Sequence, residues 1–481
     1  MSVRSRNHNG IRFCGWVWAT PINDERSAAM APPQRPITRR HLLGFGLGTA
    51  AAGLLAGCAV PGSTNVNKAA LVPAAASGET VQLTYWAWLK DLQKVCDVWN
   101  KTHPKIQVSA NWIPGGNSGG YQKMYSALAA GGGPDIGQVE LRQIPEFMLA
   151  NGLVDLARYG AKDFQSKYDE AAWAQVSFVD GIYGIPQDTG PMGFYYQTAL
   201  LEQAGGEPPT TWDEWRDLAD KVRSTGKQNY LEVFPVADAS PFAAYAQQAG
   251  ARWFKVDGDE WVVDMTDDKT LMVADFFDGV IDDKLVDTSA GAYSPGWYAA
   301  AASGKIAAVT SASWGDALIE SVQGGEGKWK VAPMQKWGAD GFGSSAIGGS
   351  TAAVLANAKH PREALEFITW MTTSKEGIDA MIKYCGIGWS PAVDYIGAQR
   401  EKPSKWFSGQ NYNEDVFVPA SKEQNIDWSW SPVTQSAFTS LQNQFRRKIT
   451  SGLKLSDAVE LAQREIVQSF KDKGLSVRTA R

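Results

Sequence analysis

Histidine, the side chain most often used for acid–base and metal chemistry near neutral pH, is scarce in this sequence. There are four among 481 residues. His8 and His41 lie in a segment that we interpret below as a removed leader, and His103 and His360 each precede a proline, which favours an extended backbone. The sequence thus offers too few histidines to favour a Ser-His-Asp hydrolase or a histidine metal site. We therefore predict no catalytic residue, no metal site and no cofactor.

Tryptophan, by contrast, is unusually frequent, with 20 residues against 18 Phe and 15 Tyr. Trp86 and Trp88 end the first predicted strand, Trp112 ends the second, and Glu140 and Gln143 follow the third. Ligands of open parallel sheets bind at the carboxyl ends of strands. Indoles, carboxylates and amides at such an edge suit a sugar, because the ring stacks on its C–H face while polar groups bond its hydroxyls.

Other features of the sequence favour structural explanations. Trp99, Trp215 and Trp370 lie on the apolar stripes of predicted helices, so we assign them to the core. The Gly-Gly-Asn-Ser-Gly-Gly loop at 115–120 lacks the Gly-Lys-Ser/Thr that would follow in a phosphate-binding loop.

The elements that must position these residues alternate between strand and helix. The periodicity predicts strands at 81–86, 106–112 and 136–139, with an amphipathic helix at 89–101 and a second helix at 121–130 between them. This alternation favours an α/β fold with parallel sheets covered on both faces. The length, with 44% hydrophobic residues, indicates about two domains. A capping box at 211–214 and an amphipathic helix at 456–470 are also predicted.

The first 58 residues have the composition of an export signal. They carry seven basic and two acidic groups, with Arg39-Arg40 before an apolar stretch of about 15 residues, short for a membrane span of about 20. The paired arginines resemble a twin-arginine signal, and Leu55-Ala56-Gly57-Cys58 resembles a bacterial lipobox. We predict a signal peptide at 1–57, lipidation of Cys58 and a flexible tether at 58–79. Translation from Met1 or from Met30 is compatible with this signal.

The charge of the remaining chain argues against a nucleic-acid partner, and its two cysteines leave the question of a disulfide open. From Cys58 onwards there are 39 basic and 49 acidic groups, a formal charge of −10, which argues against nucleic acid. Cys96 and Cys385 are the cysteines after the lipobox. Export permits a disulfide between them, but the sequence does not demonstrate it.

Several segments, in order, resemble the extracellular solute-binding proteins of ABC importers, in the carbohydrate-binding branch that is maltose-binding-protein-like. They are 100–108, 127–136, 183–196, 208–214, 303–308, 348–350 and 364–368. The resemblance implies a two-lobe periplasmic-binding-protein fold of type II, with lobes joined by crossing hinge segments. It places lobe 1 at 80–188 and 345–392, and lobe 2 at 189–344 and 393–475.

The resemblance also implies the ligand contacts. Asp188 faces the cleft from the first crossing segment, Trp314 occupies a stacking position, and Gly349 and Ser350 match donors at the second crossing. Near the C-terminal stacking position Phe438 is followed by Thr439 and not by an aromatic, so Trp428 or Trp430 is expected to replace it. The full set of predicted ligand-binding residues is Trp88, Asn117, Glu140, Gln143, Asp188, Asp238, Trp314, Asp316, Gly349, Ser350, Trp389 and Trp430.

These inferences predict a monomeric, lipid-anchored protein on the outer face of the bacterial cell membrane. It would capture an oligosaccharide or related sugar and deliver it to the permease subunits of an ABC importer. A secreted carbohydrate-active enzyme is the alternative from another class, since a cleft with aromatics and carboxylates also describes a glycosidase. A non-sugar polyol or a glycerophosphodiester is the alternative ligand, against which the few basic residues near the predicted cleft argue.

Overall fold

The fold is described from a computed structural model, which covers residues 70–178, 180–396, 398 and 402–480. Its strands are β1 Val81–Ala87, β2 Ile106–Trp112, β3 Ile136–Glu140, β4 Ser177–Phe178, β5 Gly181–Ile182, β6 Ile185–Asp188, β7 Met192–Gln197, β8 Phe254–Asp257, β9 Glu260–Val263, β10 Ala308–Ala312, β11 Trp329–Pro333, β12 Ser350–Val354 and β13 Val477–Thr479. The predicted signal peptide, Cys58 and the tether as far as residue 69 lie outside the described residues.

The α-helices of the described residues cover these strands. They are α1 Leu92–Thr102, α2 Gly120–Ala129, α3 Ile144–Leu149, α4 Glu170–Ala174, α5 Thr198–Gln203, α6 Trp212–Ser224, α7 Ser240–Ala249, α8 Asp268–Asp282, α9 Pro295–Ala302, α10 Gly315–Ile319, α11 Pro361–Thr373, α12 Lys375–Ala380, α13 Val418–Lys422, α14 Thr434–Ser451 and α15 Leu455–Asp472. Within the described part of the chain, no helix combines the length and apolarity needed to cross a membrane.

Two sheets organise the fold. The first has the order β2-β1-β3-β12-β6, and the second has the order β10-β7-β11. β1 is parallel to β2 and β3, whereas β12 is antiparallel to β3 and β6, and the second sheet is antiparallel throughout. The prediction of parallel sheets is therefore correct for β2-β1-β3 and for the pair β9-β13, and wrong for β12 and for the second sheet. β12 is antiparallel because it enters the first sheet from the opposite end after the chain returns from the second. The fold class, α/β with two lobes, is confirmed.

Two crossing segments connect these sheets. The chain leaves β6 at Asp188 and enters β7 at Met192, and it returns through residues 345–349 to β12. The two segments are hydrogen-bonded to each other, since the Met192 N–H donates to the Ser345 carbonyl at 3.0 Å and the Ile347 N–H donates to the Gly190 carbonyl at 3.1 Å. The passage between the sheets is thus a two-stranded connection.

A glycine is required where the returning segment joins β12. Gly349 has φ +91°, a conformation that other residues adopt only with strain. A Cβ atom there would lie 2.7 Å from Leu141 Cδ1 and 3.2 Å from the Asp188 carbonyl oxygen. The bare backbone lets the returning segment pass close to both β6 and the residue after β3, and the Leu141 N–H donates to the Gly349 carbonyl at 3.0 Å.

The last residues before β1 contact the first lobe. Residues 70–79 form no helix or strand. The Val72 N–H donates to the Tyr159 hydroxyl at 3.0 Å, and the Ala75 N–H donates to Glu363 Oε1 at 2.7 Å. The described part of the predicted tether is therefore bonded to the folded body at these two points.

Candidate functional site

Three of the predicted residues meet at one edge of the first sheet. Glu140 ends β3, Asp188 ends β6, and Ser350 begins β12 between them, paired in register with both. The Ser350 N–H donates to Asp188 Oδ1 at 2.6 Å, and its hydroxyl lies 3.0 Å from each Asp188 oxygen. Asp188 therefore joins the two crossing strands, and its contact with a ligand stays a prediction.

A hydrogen-bonded row extends from this point to Trp88. The buried Gln138 donates from Nε2 to the Ser350 hydroxyl at 3.1 Å and accepts at Oε1 from the Trp88 N–H, also at 3.1 Å. The Trp88 ring packs edge-on against Tyr121, with centroids 5.9 Å apart. Gln138, which the sequence analysis did not single out, thus fixes the position of Trp88 relative to the crossing strands.

Glu140 is held by a tyrosine and an arginine. The Tyr121 hydroxyl donates to Glu140 Oε2 at 2.8 Å, and Arg142 Nη2 donates to Oε1 and Oε2 at 3.2 and 3.3 Å. The Arg142 guanidinium also lies over the Phe438 ring, 5.4 Å from its centroid. Because Phe438 belongs to α14 and Arg142 follows β3, this cation–π pair joins the two predicted lobes.

A small cavity lies beside the crossing segments. Its volume is about 30 Å³, which holds one or two water molecules but no sugar ring. It is lined by Leu141, Asp169, Ala171, Ala172, Gln175, Thr189, Gln247, Ala346, Gly348, Gln424, Asn425, Trp428 and Trp430. These residues come from both predicted lobes, so a ligand can enter only if the surrounding elements move apart.

Amide side chains dominate the polar part of this wall. Gln175 Nε2 donates to the Trp428 carbonyl at 2.9 Å, and Asn425 Nδ2 donates to the Gln247 carbonyl at 3.2 Å. These amides and Gln424 were not predicted from the sequence, because they come from separate places: the residue after α4, α7 and the segment after α13. The available signal was Gln424-Asn425 directly before the Trp428 and Trp430 pair.

The carboxyl group of Asp169, in the cavity wall, already accepts a hydrogen bond from the protein backbone. Asp169 caps α4, with its Oδ1 accepting from the Ala172 N–H at 3.1 Å. Burial raises the pKa of its carboxyl, while the backbone donors of α4 oppose that rise.

Trp314 lies between the crossing segments. Its Nε1–H donates to the Ile347 carbonyl at 2.8 Å. A Cβ atom at Gly190 would lie 2.9 Å from Trp314 Nε1, and one at Gly348 would lie 3.2 Å from it. The indole is half-buried, and both crossings need glycine to admit it.

Three predicted residues do not face the cavity. The Gln143 amide turns back to the Tyr125 hydroxyl at 3.3 Å, because the turn after β3 presents Leu141 to the cavity in its place. Asp316 is buried and accepts from the Tyr412 hydroxyl at 2.6 Å. Trp389 is buried in a second apolar cluster beside Phe417. In this structure these three side chains contact other parts of the protein and not the cavity.

The remaining predicted residues, Asp238, Asn117 and Trp430, lie in three different environments. Asp238 is exposed just before α7 and accepts from the Ser240 N–H at 2.9 Å. Asn117 lies in the 3₁₀ turn Gly116–Ser118, and its side chain is outside what the structure describes. Trp430 lines the cavity, edge-on to Trp428 at 5.3 Å and to Phe438 at 6.0 Å between centroids.

The acid–base behaviour of Asp188 follows from its burial. Burial raises the pKa of the carboxyl from 3.8 to about 6; the Ser350 donors oppose the rise and Glu140 adds to it. A carboxyl with a raised folded-state pKa binds its proton more tightly in the folded protein than in the unfolded chain. Its contribution to stability is therefore present below the unfolded pKa and is lost as pH rises through the folded value.

We expect Asp188→Asn to remove this pH dependence. Relative to wild type, the variant should gain up to about 3 kcal/mol of unfolding free energy between pH 4 and pH 7, because the neutral amide never ionises in this partly buried site. Urea unfolding of both proteins across this range measures the difference. A difference that stays constant with pH would contradict the burial of this carboxyl.

Comparison of the sequence with models of known protein families identifies the family to which the chain belongs. The model of the family described as bacterial extracellular solute-binding protein matches residues 77–378. The chain belongs to this family.

Two relatives are described as sugar-binding proteins. The lactose-binding protein of Rhizobium radiobacter is 24% identical over 322 residues, covering 60% of this chain and 75% of the relative. The arabinooligosaccharide-binding protein of Halalkalibacterium halodurans is 22% identical over 370 residues, covering 73% and 81%.

A solved structure is similar over the whole of its own length. It is the galacto-N-biose-/lacto-N-biose I-binding protein of the ABC transporter from Bifidobacterium longum, in complex with lacto-N-biose. The identity is 28% and the TM-score 0.74, covering 83% of this chain and 100% of that chain.

Proposed function

We propose that this protein captures a neutral oligosaccharide between its two lobes and delivers it to an ABC importer. The observation that carries the proposal is the cavity beside the crossing segments, which combines four amide side chains with Trp428 and Trp430. Amides supply both donors and acceptors for sugar hydroxyls, and an indole offers a flat apolar face for a sugar ring. The ligands named for the relatives, lactose, arabino-oligosaccharides and lacto-N-biose, belong to the same chemical class.

The charges around the cavity support a neutral ligand. Glu140, Asp169 and Asp188 each accept hydrogen bonds from the protein, and Arg142 is paired with Glu140. An anionic ligand would need a cation free to pair with it and would meet the Asp169 carboxylate in the wall. A neutral sugar needs no new ion pair, so we propose a sugar in preference to a glycerophosphodiester.

We propose binding without catalysis, on the extracytoplasmic side of the membrane. A glycosidase holds two carboxyl groups on either side of the scissile bond, with one free to protonate the leaving oxygen. Glu140 and Asp188 lie on opposite sides of Ser350 at one sheet edge, and both accept hydrogen bonds from protein donors. This arrangement supports a structural role for the two carboxylates. The sugar would then be released unchanged to the permease subunits.

Lipidation of Cys58 would hold the protein at the membrane as a monomer. Each buried methylene of an acyl chain adds about 0.8 kcal/mol to membrane residence, so that two or more chains give stable anchoring. We expect Cys58→Ala to release the protein into the soluble fraction, measured by fractionation and immunoblotting of the producing cells. Equal membrane association of the variant and the wild type would contradict the anchor.

The ligand class is tested by calorimetric titration of the wild type. The probes are lactose, lacto-N-biose I, an arabino-oligosaccharide and maltotriose, with glycerophosphocholine as the phosphodiester control. We expect one-to-one binding of at least one neutral sugar, recovery of that sugar intact after prolonged incubation, and no binding of the phosphodiester. Cleavage products would establish the enzyme instead, and binding of the phosphodiester alone would overturn the sugar assignment.

A further inference from the structure

Trp428 is the least exposed aromatic residue of the cavity wall. Its side chain is only 2% exposed. Its ring packs against Trp253, with centroids 5.2 Å apart, and edge-on against Trp430 at 5.3 Å. A sugar ring cannot stack on an indole that is covered in this way. Of the two tryptophans expected to replace the C-terminal stacking aromatic, Trp428 is therefore unsuited to stacking.

The indole N–H of Trp428 is the polar group of this ring. Trp428 Nε1 is buried and has no hydrogen-bond partner in the described part of the protein. Most buried donors are paired, and an unpaired donor of a residue that lines a cavity can be satisfied by an oxygen atom of a bound ligand. The backbone of Trp428 is held in place, because its carbonyl accepts from Gln175 Nε2 at 2.9 Å. The ring itself is held between Trp253 and Trp430, so that Trp428 presents an unpaired donor as one of the residues that line the cavity.

We propose that Trp428 determines specificity by donating a hydrogen bond from Nε1 to one oxygen atom of the bound neutral sugar, while Trp430 supplies the stacking face. This inference rests on the proposed function and assigns a role within the same site. The acceptor is an uncharged oxygen, because the Asp169 carboxylate shares the cavity wall and disfavours an anion. A site built around a buried donor discriminates strongly against an analogue that lacks the matching acceptor.

The test compares Trp428→Phe with Trp329→Phe. Trp329 Nε1 is likewise buried without a partner, but Trp329 lies in the second apolar cluster, away from the cavity. Calorimetry with lactose, lacto-N-biose I, an arabino-oligosaccharide and maltotriose identifies the sugar that the wild type binds. We expect Trp428→Phe to weaken binding of that sugar about tenfold, as for a lost buried hydrogen bond, and Trp329→Phe to leave it unchanged. Both variants should melt below the wild type by similar amounts, since each replaces a buried indole with a smaller ring.

A second measurement separates recognition from a purely structural effect. Monodeoxy derivatives of the bound sugar are titrated into wild type and into Trp428→Phe. One derivative should bind the wild type about tenfold more weakly than the parent sugar, and the variant should bind that derivative and the parent equally. Unchanged affinity of Trp428→Phe, or equal discrimination of every derivative by variant and wild type, would overturn the role of Trp428. Failure of the wild type to bind any of the four sugars would overturn the proposed function itself.

Discussion

Replacing Trp430 with alanine should weaken sugar binding about 100-fold, which corresponds to roughly 3 kcal/mol, the contribution of a large aromatic side chain buried against a ligand. The indole is half-buried in the cavity wall, between Trp428 and Phe438. Because it is less covered than Trp428, it can offer a face to the sugar when the lobes separate. Calorimetric titration with the sugar bound by the wild type measures the loss.

Trp430→Phe is the matched control for this change. It keeps an aromatic face while removing the indole N–H, so we expect a loss of less than tenfold. An alanine variant that binds within twofold of the wild type would show that the sugar does not contact this residue.

The second large effect is expected for Trp314→Ala. The substitution removes the indole from between Gly190 and Gly348 and deletes its hydrogen bond to the Ile347 carbonyl. We expect the melting temperature of the unliganded protein to fall and sugar affinity to drop at least tenfold, because the void lies where the two crossing segments meet. Differential scanning calorimetry and titration measure these effects separately.

Trp314→Phe separates packing from hydrogen bonding at the crossings. The phenyl ring fills most of the space but cannot donate to Ile347, so the melting temperature should recover most of the loss. An alanine variant with wild-type stability and affinity would contradict the placement of Trp314 between the segments.

Local sequence signals predicted the elements of the first lobe well. The strand at 106–112 agrees at both ends, and the strand predicted at 81–86 extends by one residue. The helix predicted from residue 89 begins only at Leu92, because Asp91 adopts a left-handed conformation with φ 56°. The capping box forms at the start of α6: Thr211 Oγ1 accepts from the Glu214 N–H, and the Glu214 carboxylate accepts from the Thr210 N–H.

Long-range contacts explain what the sequence could not reveal about the site. Strand ends predicted Trp88 and Glu140 correctly as residues of one sheet edge, since strand order in a βαβ unit is a local property. The bond from Gln175 to Trp428 joins residues 253 positions apart, and no periodicity encodes it. Asp316 is bonded to Tyr412, 96 positions away, and Trp389 packs against Phe417 in a later segment without regular periodicity, so local patterns did not predict that both side chains would be buried.

Small-angle scattering of the wild type, with and without the sugar found by titration, tests most directly whether a sugar is captured between two moving lobes. A cavity of about 30 Å³ cannot admit a sugar ring, so the protein must open to bind and then close around its ligand. Binding drives closure only if the closed form holds the sugar more tightly than the open form. We predict a smaller radius of gyration on saturation with the sugar, which is then recovered intact. Tight binding with an unchanged radius would contradict capture by lobe closure.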